Sequence, residues 1–282
     1  MIQEVITIMQ RDIILEKLDL SYLSWAKVRN SSGTAGSYLK SYSDLDERTV
    51  YYKLSNYDAY KGIIGHESIN ELIIDRLLTI LGVEHLHYLL IHADVMIDGQ
   101  LHDTFVCASE DFKKRGESKI ALDAYYQYER KTGESPLDFC LRNEWAEFIW
   151  KMLVVDFLML NRDRHGANIE VLRNSKERTI RLAPLFDHGI SLMYSGREDK
   201  DFLTFDVMED KPVQCYVGSN STRENLRLIP KGELPRLNPL QLSDREYLFA
   251  SLETVLSRVH IERLWEMIWS RWMYYEDFCN QR

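Results

Sequence analysis

Two short polar segments in the middle of the chain combine residue types that can do chemistry. Residues 161–169 read NRDRHGANI and residues 183–189 read APLFDHG. They hold two aspartates, the carboxamide of Asn168 and two histidines, and apolar stretches flank them. Polar groups between apolar supports are typical of a site on a rigid frame. Because carboxylate and carboxamide oxygens are hard ligands that suit Mg²⁺, the pattern indicates a centre for metal-dependent phosphoryl transfer.

The spacing of three of these residues suits separate tasks in such a centre. Asp163 precedes Asn168 by five positions, and Asp187 follows in an F-D-H-G sequence. One loop can then present two groups to opposite sides of a transferred phosphoryl group. We expect Asp163 to orient the acceptor hydroxyl or accept its proton, and Asn168 and Asp187 to hold Mg²⁺. Strands at residues 169–171 and 180–182 would bring Asp187 back beside Asn168.

Two other interpretations of the same residues stay open at this point. Aspartate and asparagine are common in solvated loops and at helix ends for purely local reasons. His165 and His188 also admit a metallohydrolase site with histidine and aspartate ligands. No H-E-x-x-H or comparable spacing supports the metallohydrolase, so we expect both histidines to brace the loop.

Further parts of a nucleotide site occur upstream in the order that a kinase needs. Residues 31–37 are small and rich in glycine and hydroxyl groups, which lets backbone N–H groups approach phosphates. The nucleotide contacts expected there are Ser32, Gly33, Thr34, Ala35 and Gly36. Lys53 lies in a β-branched and aromatic segment that predicts a strand, and could pair with the phosphates. Taken alone, residues 31–37 would be an ordinary flexible loop, and Lys53 would be a solvated lysine on a strand.

A helix predicted from residue 68 supplies a partner for Lys53. Apolar residues recur at helical spacing up to Gly82, which is expected to end the helix. Glu71 could orient Lys53, with Glu67 as the second candidate. The competing interpretation is that Ser68 and Glu71 form a capping box at the helix start.

The strand predicted at residues 104–107 leads into the connection between the two halves of the chain. Backbone groups at Val106 and Ala108 could pair with the edge of adenine, which needs one donor and one acceptor. The alternative is an ordinary linker, and side-chain identity does not decide between them.

The remaining pattern predicts two parts of different secondary structure. Up to about residue 110, the sequence favours a mostly antiparallel sheet with one helix, and the D-G pair at 98–99 predicts a hairpin turn. The predicted strands are residues 20–28, 38–42, 49–54, 86–92, 95–97 and 104–107. Helices are predicted from Ser135, over residues 145–160, and from Ser243 towards the C-terminus, with an irregular stretch at 195–242. We place the boundary between residues 1–112 and 113–282.

Bulk properties narrow the classes of function. The net charge of −9 and the lack of a Lys/Arg block argue against nucleic-acid binding. No stretch reaches the roughly 20 apolar residues of a membrane span, and no signal peptide is apparent. The four cysteines are far apart and form no C-x-x-C pair, which argues against structural zinc and a disulfide framework. A cytoplasmic location is the expectation.

The sequence D-R-H-x-x-N-I at 163–169 and the F-D-x-G at 186–189 resemble the motifs of HipA-like serine/threonine kinases. The broader group includes the phosphoinositide kinases, and the resemblance extends over about residues 31–191. It implies an α+β, two-lobed, protein-kinase-like fold, with a β-rich N-terminal lobe, a mainly helical C-terminal lobe and ATP between them. It also implies that Asp163 is the catalytic base, that Asn168 and Asp187 bind Mg²⁺, and that Lys53 binds the ATP phosphates.

The resemblance is to the compact stand-alone members, since the larger HipA toxins carry an additional N-terminal subdomain. A toxin role and a DNA-binding partner are therefore not carried over. Some relatives phosphorylate the Gly/Ser loop, which makes Ser31, Ser32 and Thr34 candidates here. The expected partners are ATP and a protein substrate, with no nucleic acid and no membrane. A phosphoinositide or small-molecule kinase and a catalytically silent nucleotide-binding scaffold remain the alternatives.

Overall fold

The computed structural model describes residues 12–26, 38–45 and 48–281. A five-stranded sheet in the order β1-β6-β7-β3-β2 forms most of the N-terminal part. Its strands are β1 (Ile13–Asp19), β2 (Lys40–Leu45), β3 (Arg48–Leu54), β6 (Leu89–Ile97) and β7 (Gln100–Glu110), with a small hairpin of β4 (Tyr57–Asp58) and β5 (Gly62–Ile63) beside them. All pairings in the large sheet are antiparallel except that of β1 with β6.

The β6–β7 hairpin forms where the D-G pair predicts it. Asp98 and Gly99 both have positive φ, 50° and 79°, which suits the twist of a two-residue hairpin turn. Alternate residues of β6 such as Ala93 and Val95 lie on one face and are fully buried in a small core within the sheet. Leu90 points to the other face and packs in the larger core with the helix that precedes β6 in the chain.

That helix, α1 (Glu67–Leu81), crosses one face of the sheet. It ends at Gly82 in the left-handed conformation with φ of 69°, as predicted. The predicted capping box is wrong, because the helix begins one residue before Ser68 and no side chain caps it. The Ser68 hydroxyl instead donates to the carbonyl of Lys53, which ties α1 to β3, and Glu71 faces the candidate site.

The C-terminal part is mainly helical. Its helices are α2 (Leu122–Glu129), α3 (Pro136–Arg142), α4 (Ala146–Leu158), α5 (Asp199–Thr204), α6 (Thr222–Arg227), α7 (Asp244–Phe249) and α8 (Arg258–Asn280). Ser135 caps α3 by accepting a hydrogen bond from the Asp138 amide at 3.1 Å, as predicted. Within the described ranges, no helix is both long and apolar enough to cross a membrane.

Two small sheets in this part carry the polar segments. A three-stranded sheet joins β8 (Ser118–Ala121), β10 (Glu170–Asn174) and β11 (Thr179–Leu182) in the order β11-β10-β8. The predicted strand–turn–strand between Asn168 and Asp187 is thus confirmed as β10–β11. A second pair, β9 (Asp163–Arg164) and β12 (Gln214–Cys215), runs parallel.

Several element predictions differ from the structure. The strand predicted at residues 20–28 is wrong over residues 20–25, because Leu20 and Leu23 lie in a turn after β1 and both point into the core of the sheet. Residues 27 and 28 lie outside the described residues. Their three-residue spacing matches a turn better than the two-residue period of a strand. The strands predicted at 86–92 and 95–97 form the single strand β6, which begins at Leu89 and not at residue 86. The C-terminal helical region is two helices, and the Ser243 side chain does not cap the first.

The placement of these elements supports a β-rich N-terminal part and a mainly helical C-terminal part. The larger hydrophobic core combines residues of α1, α4 and α8, so α1 packs with the C-terminal helices as well as the sheet. The boundary between residues 112 and 113 stays a prediction.

Candidate active site

The segment with Asp163 leaves the buried helix α4 through a tight turn. Leu160 has a φ of 50°, and the next residue, Asn161, fixes the turn from both sides. Its side-chain nitrogen donates to the Asp156 carboxylate at 2.9 Å, and its side-chain oxygen accepts from the Asp163 backbone N–H at 3.1 Å. The apolar helix therefore supplies the rigid support that the sequence indicates.

Arg164 is the side chain that joins the two polar segments. Its guanidinium, only 1% exposed, binds Asp156 with contacts of 2.9 and 3.0 Å. It also donates to the carbonyls of Asn168, at 3.0 Å, and Phe186, at 3.1 Å. One planar group thus fixes the Asp163 loop and the backbone that precedes Asp187.

Replacement of Arg164 by lysine is expected to lower the free energy of unfolding by about 3 kcal/mol. Lysine keeps the charge but cannot bind the Asp156 carboxylate and both backbone carbonyls at the same time. Some of these buried acceptors would therefore lose their hydrogen-bond donor. Urea denaturation measures the loss. Arg162→Lys is the matched control, since Arg162 donates one bond at its surface position, to the Pro212 carbonyl at 2.7 Å. Equal losses in the two variants would contradict the role given to Arg164.

A hydrogen bond within this loop joins Asn168 to Asp163. The side-chain nitrogen of Asn168 donates to the backbone carbonyl of Asp163 at 2.7 Å, so its side-chain oxygen is not used in this bond. Burial raises the pKa of Asp163, His165 opposes that shift, and the charge of Asp187 adds to it. Gly166 lets the loop approach α2, because a Cβ there would lie 2.5 Å from the Cβ of Asp123.

Asp187 meets two lysines of the N-terminal sheet. Lys53 forms an ion pair with Asp187, and Lys40 lies 4.0 Å from it. The two lysines are directly opposite each other on β2 and β3. Burial alone would lower the pKa of Lys53, but Asp187 and Glu71 outweigh it and raise the pKa well above its usual value. Burial would raise the pKa of Asp187, but the lysines hold it well below the usual range. Both groups are therefore charged.

Glu71 completes this network and identifies the partner of Lys53. Its buried carboxylate lies 3.0 Å from the Lys53 ammonium and accepts from the backbone of His188 at 2.9 Å and Gly189 at 3.0 Å. Burial raises the pKa of Glu71, whereas Lys53 and the His188 N–H act against that rise. Because all three contacts are with donors, the geometry favours the ionised carboxylate. Glu67 instead accepts from the Asn56 amide at 3.0 Å.

The backbone of Asp187 has a strained conformation that neighbouring groups hold. Its φ is 58°, and its N–H donates to the Tyr88 hydroxyl at 3.1 Å. Gly189 allows the chain to pass close to α1, since a Cβ would lie 3.1 Å from the Cβ of Glu67. His188 is buried, and burial lowers its pKa well below its usual value. It is therefore a neutral ring within the fold.

Other residues predicted for the nucleotide site are placed as follows. The structure does not bring the backbone of Val106 and Ala108 to a free edge, because β7 pairs with β3 and β6 on both sides there. Ser109 and Glu110 pair with β3 alone, so backbone contacts to adenine would have to come from Ser109 onward. The predicted loop contacts at residues 32–36 lie outside the described residues.

Sequence reasoning missed Lys40, Tyr88 and the Asp156–Arg164 pair. The contact of Tyr88 with Asp187 spans 99 residues of sequence, so no local pattern marks it. Lys40 could have been found from the two predicted strands. If they pair as antiparallel neighbours in the register of β2 and β3, Lys40 lies directly opposite Lys53.

Comparisons with known proteins show a likeness in structure. The crystal structure of the Helicobacter pylori proinflammatory kinase CtkA superposes with a TM-score of 0.62 over 90% of this chain and 93% of that chain, at 16% identity. HipA of Shewanella oneidensis MR-1, from a toxin–antitoxin complex with HipB and operator DNA, is 15% identical over 98% of this chain and 68% of that chain, with a TM-score of 0.38 that is too low to support an argument. No family model and no curated protein sequence matches the chain.

The likeness to CtkA establishes the fold. The chain has a two-lobed, protein-kinase-like α+β fold, which confirms the fold class expected from the sequence. A likeness at 16% identity shows the fold and not the activity.

Proposed function

We propose that the protein is an ATP- and Mg²⁺-dependent kinase that phosphorylates serine or threonine in a protein. The observation that carries this proposal is the buried network in which Lys53 contacts both Glu71 and Asp187 beside the Asp163–Asn168 loop. A lysine from the sheet, a carboxylate from its helix and two oxygen ligands are the parts that phosphoryl transfer requires. They occur in a fold shared with a kinase.

The donor set fits magnesium. Asp187 is ionised, and the side-chain oxygen of Asn168 is not used in the bond to Asp163. Both are hard oxygen ligands, and Mg²⁺ commonly uses one or two such protein groups together with phosphate oxygens. When bound, the ion would neutralise charge on the phosphates.

The side chains of this chain then have distinct tasks. Lys53 would bind phosphate oxygens, and Glu71 keeps its ammonium in place. Lys40 adds a second positive charge at the same carboxylate. Asp163 would orient the acceptor hydroxyl and accept its proton, a task that its ionised form performs. Positioning and charge neutralisation, with little covalent chemistry by the protein, would supply most of the rate.

A protein acceptor is favoured over a membrane lipid. The net charge is −9, and a chain of net negative charge is disfavoured at anionic lipid surfaces. The acceptor candidates within the chain itself are Ser31, Ser32 and Thr34, and a cytoplasmic location is proposed with the same function.

Incubation with Mg-ATP followed by mass spectrometry tests the proposal. We expect ADP formation and phosphate on serine or threonine in the wild type, and at least a 100-fold slower reaction in Lys53→Met. Lys17→Met is the matched control, because Lys17 also pairs with aspartates of the sheet but at an exposed position. Binding of Mg-ATP without turnover in the wild type would overturn the kinase and indicate a nucleotide-binding scaffold.

A further inference from the structure

A second cluster of titratable side chains lies at the C-terminal end of α1. It consists of Asp75 on the helix and of His85 and His87 on the chain that follows. The His85 Nε2 atom lies 2.7 Å, and the His87 Nδ1 atom 3.0 Å, from the same Asp75 oxygen. The three ligand atoms all lie within 4.8 Å of one another.

The local sequence explains why these groups meet. Gly82 ends α1 and reverses the chain, so the next residues run back beside the last turns of the helix. His85 is extended and pairs with Leu185, and in extended chain residues two apart point to the same side. The H-L-H sequence therefore directs both imidazoles towards Asp75.

The hydrogen bonds around His85 fix its ring in the orientation of a metal ligand. Its Nδ1 lies 2.6 Å from the Val83 carbonyl, which can only accept, so Nδ1 carries the proton. In the neutral ring, Nε2 then presents a lone pair to the Asp75 carboxylate. The Nε2 lone pair and the Asp75 oxygen are both acceptors, and they lie only 2.7 Å apart. A cation must therefore bind to them, and it is either a second proton or a metal ion. A ligating histidine commonly donates its other N–H to a backbone carbonyl.

We propose that Asp75, His85 and His87 bind a divalent transition metal ion such as Zn²⁺. Two imidazole nitrogens and one carboxylate oxygen suit Zn²⁺ and disfavour Mg²⁺ and Ca²⁺, which prefer oxygen. Asp75 and His85 are buried, whereas the His87 side chain is 76% exposed, so the site opens to solvent on one side. Metal–ligand bonds of about 2.0–2.2 Å need slightly wider ligand separations. The exposed His87 can move to widen its own 3.0 Å separation from Asp75, and the 2.7 Å separation between the buried His85 and Asp75 would have to widen when the ion binds.

This metal ion would fasten the backbone around Asp187. The second oxygen of Asp75 accepts from the Tyr88 amide at 2.7 Å, and the Tyr88 hydroxyl accepts from the Asp187 amide at 3.1 Å. The Leu86 amide donates to the Leu185 carbonyl at 2.8 Å, two residues before Asp187. The ion thus stabilises the end of α1 and the chain that leads to Asp187, whether or not the protein transfers phosphate.

Cobalt titration of the chelator-treated full chain tests the site. Saturating Mg²⁺ is present so that oxygen-ligand sites are occupied, and intense visible absorption of Co²⁺ distinguishes a four-coordinate site from six-coordinate oxygen sites. We expect one equivalent of Co²⁺, displaced by Zn²⁺, and at least a tenfold weaker affinity in His87→Ala. The exposure of His87 makes loss of folding in this variant unexpected, and its thermal midpoint without metal verifies that.

His92→Ala is the matched control. His92 also pairs with an aspartate, Asp103, at 2.5 Å, and the structure places no third ligand of this kind there among the described residues. Unchanged Co²⁺ affinity is expected in that variant. Equal binding by wild type and His87→Ala, or no binding by the wild type, would overturn the metal site and leave an imidazolium–carboxylate pair. Neither result bears on phosphoryl transfer, which the ATP assay tests separately.

Discussion

Replacement of Asp163 by asparagine is expected to slow phosphoryl transfer by about 10²–10⁴-fold while Mg-ATP still binds. Asparagine has the same shape but cannot accept a proton from the acceptor hydroxyl. The loop should keep its form, because Asn168 donates to the backbone carbonyl at this position and Asn161 accepts from its backbone N–H. Single-turnover kinetics measure the rate, and calorimetry with Mg-ATP measures the binding.

Asp123→Asn is the matched control, since Asp123 lies against the same loop at Gly166 but bonds to its own helix at Ala124. It should retain the wild-type rate. The pH profile adds a second measurement. Because burial raises the pKa of Asp163, the rate should fall with decreasing pH earlier than for an exposed aspartate. Undiminished transfer in Asp163→Asn would show that another group accepts the proton.

Local signals in the sequence predicted the parts of the fold that local interactions determine. The D-G turn at 98–99, the end of α1 at Gly82 and the cap at Ser135 each depend on neighbouring residues only. The order of Lys53, Glu71, Asp163 and Asp187 likewise suggested a common site, although their sequence separations are large. The sheet and the helices then bring Lys53, Glu71 and Asp187 into contact.

The parts that the sequence did not reveal depend on tertiary contacts. Ser68 and Glu71 match a capping box, but Glu71 contributes more to the fold by binding Lys53 and two backbone amides at once. Local propensity is a weak prior when a buried charge needs a partner. Strand β1 was missed because its parallel pairing with β6 involves residues more than 70 positions away. Arg164 could be recognised as part of a motif, yet only the structure shows that it joins both polar segments.

The network around Lys53 balances its own charges without a ligand. The buried carboxylate of Glu71 and the partly exposed carboxylate of Asp187 face one ammonium, and Lys40 supplies further positive charge at Asp187. The lysines thereby keep Asp187 ionised in a place where burial opposes charge. Because Glu71 also holds Lys53, the lysine keeps a partner when a metal ion takes up the charge of Asp187.

Replacement of Asp187 by asparagine is therefore expected to weaken Mg-ATP binding by more than tenfold while the protein stays folded. The metal loses its charged ligand, but Lys53 remains paired with Glu71 at 3.0 Å. Calorimetric titrations with ATP, in the presence and absence of Mg²⁺, should differ in the wild type and become nearly equal in the variant. The unfolding transition without ligand should change little, since no buried charge is left alone.

Asp103→Asn separates this effect from the simple loss of an aspartate–lysine pair. Asp103 pairs with Lys17 at 3.4 Å on the same sheet and has no contact with Glu71 or Asp187 among the bonds described for it. Its Mg-ATP affinity should match the wild type. Magnesium-dependent binding that persists in Asp187→Asn would remove Asp187 from the metal site, and Asn168 would then need a different partner ligand.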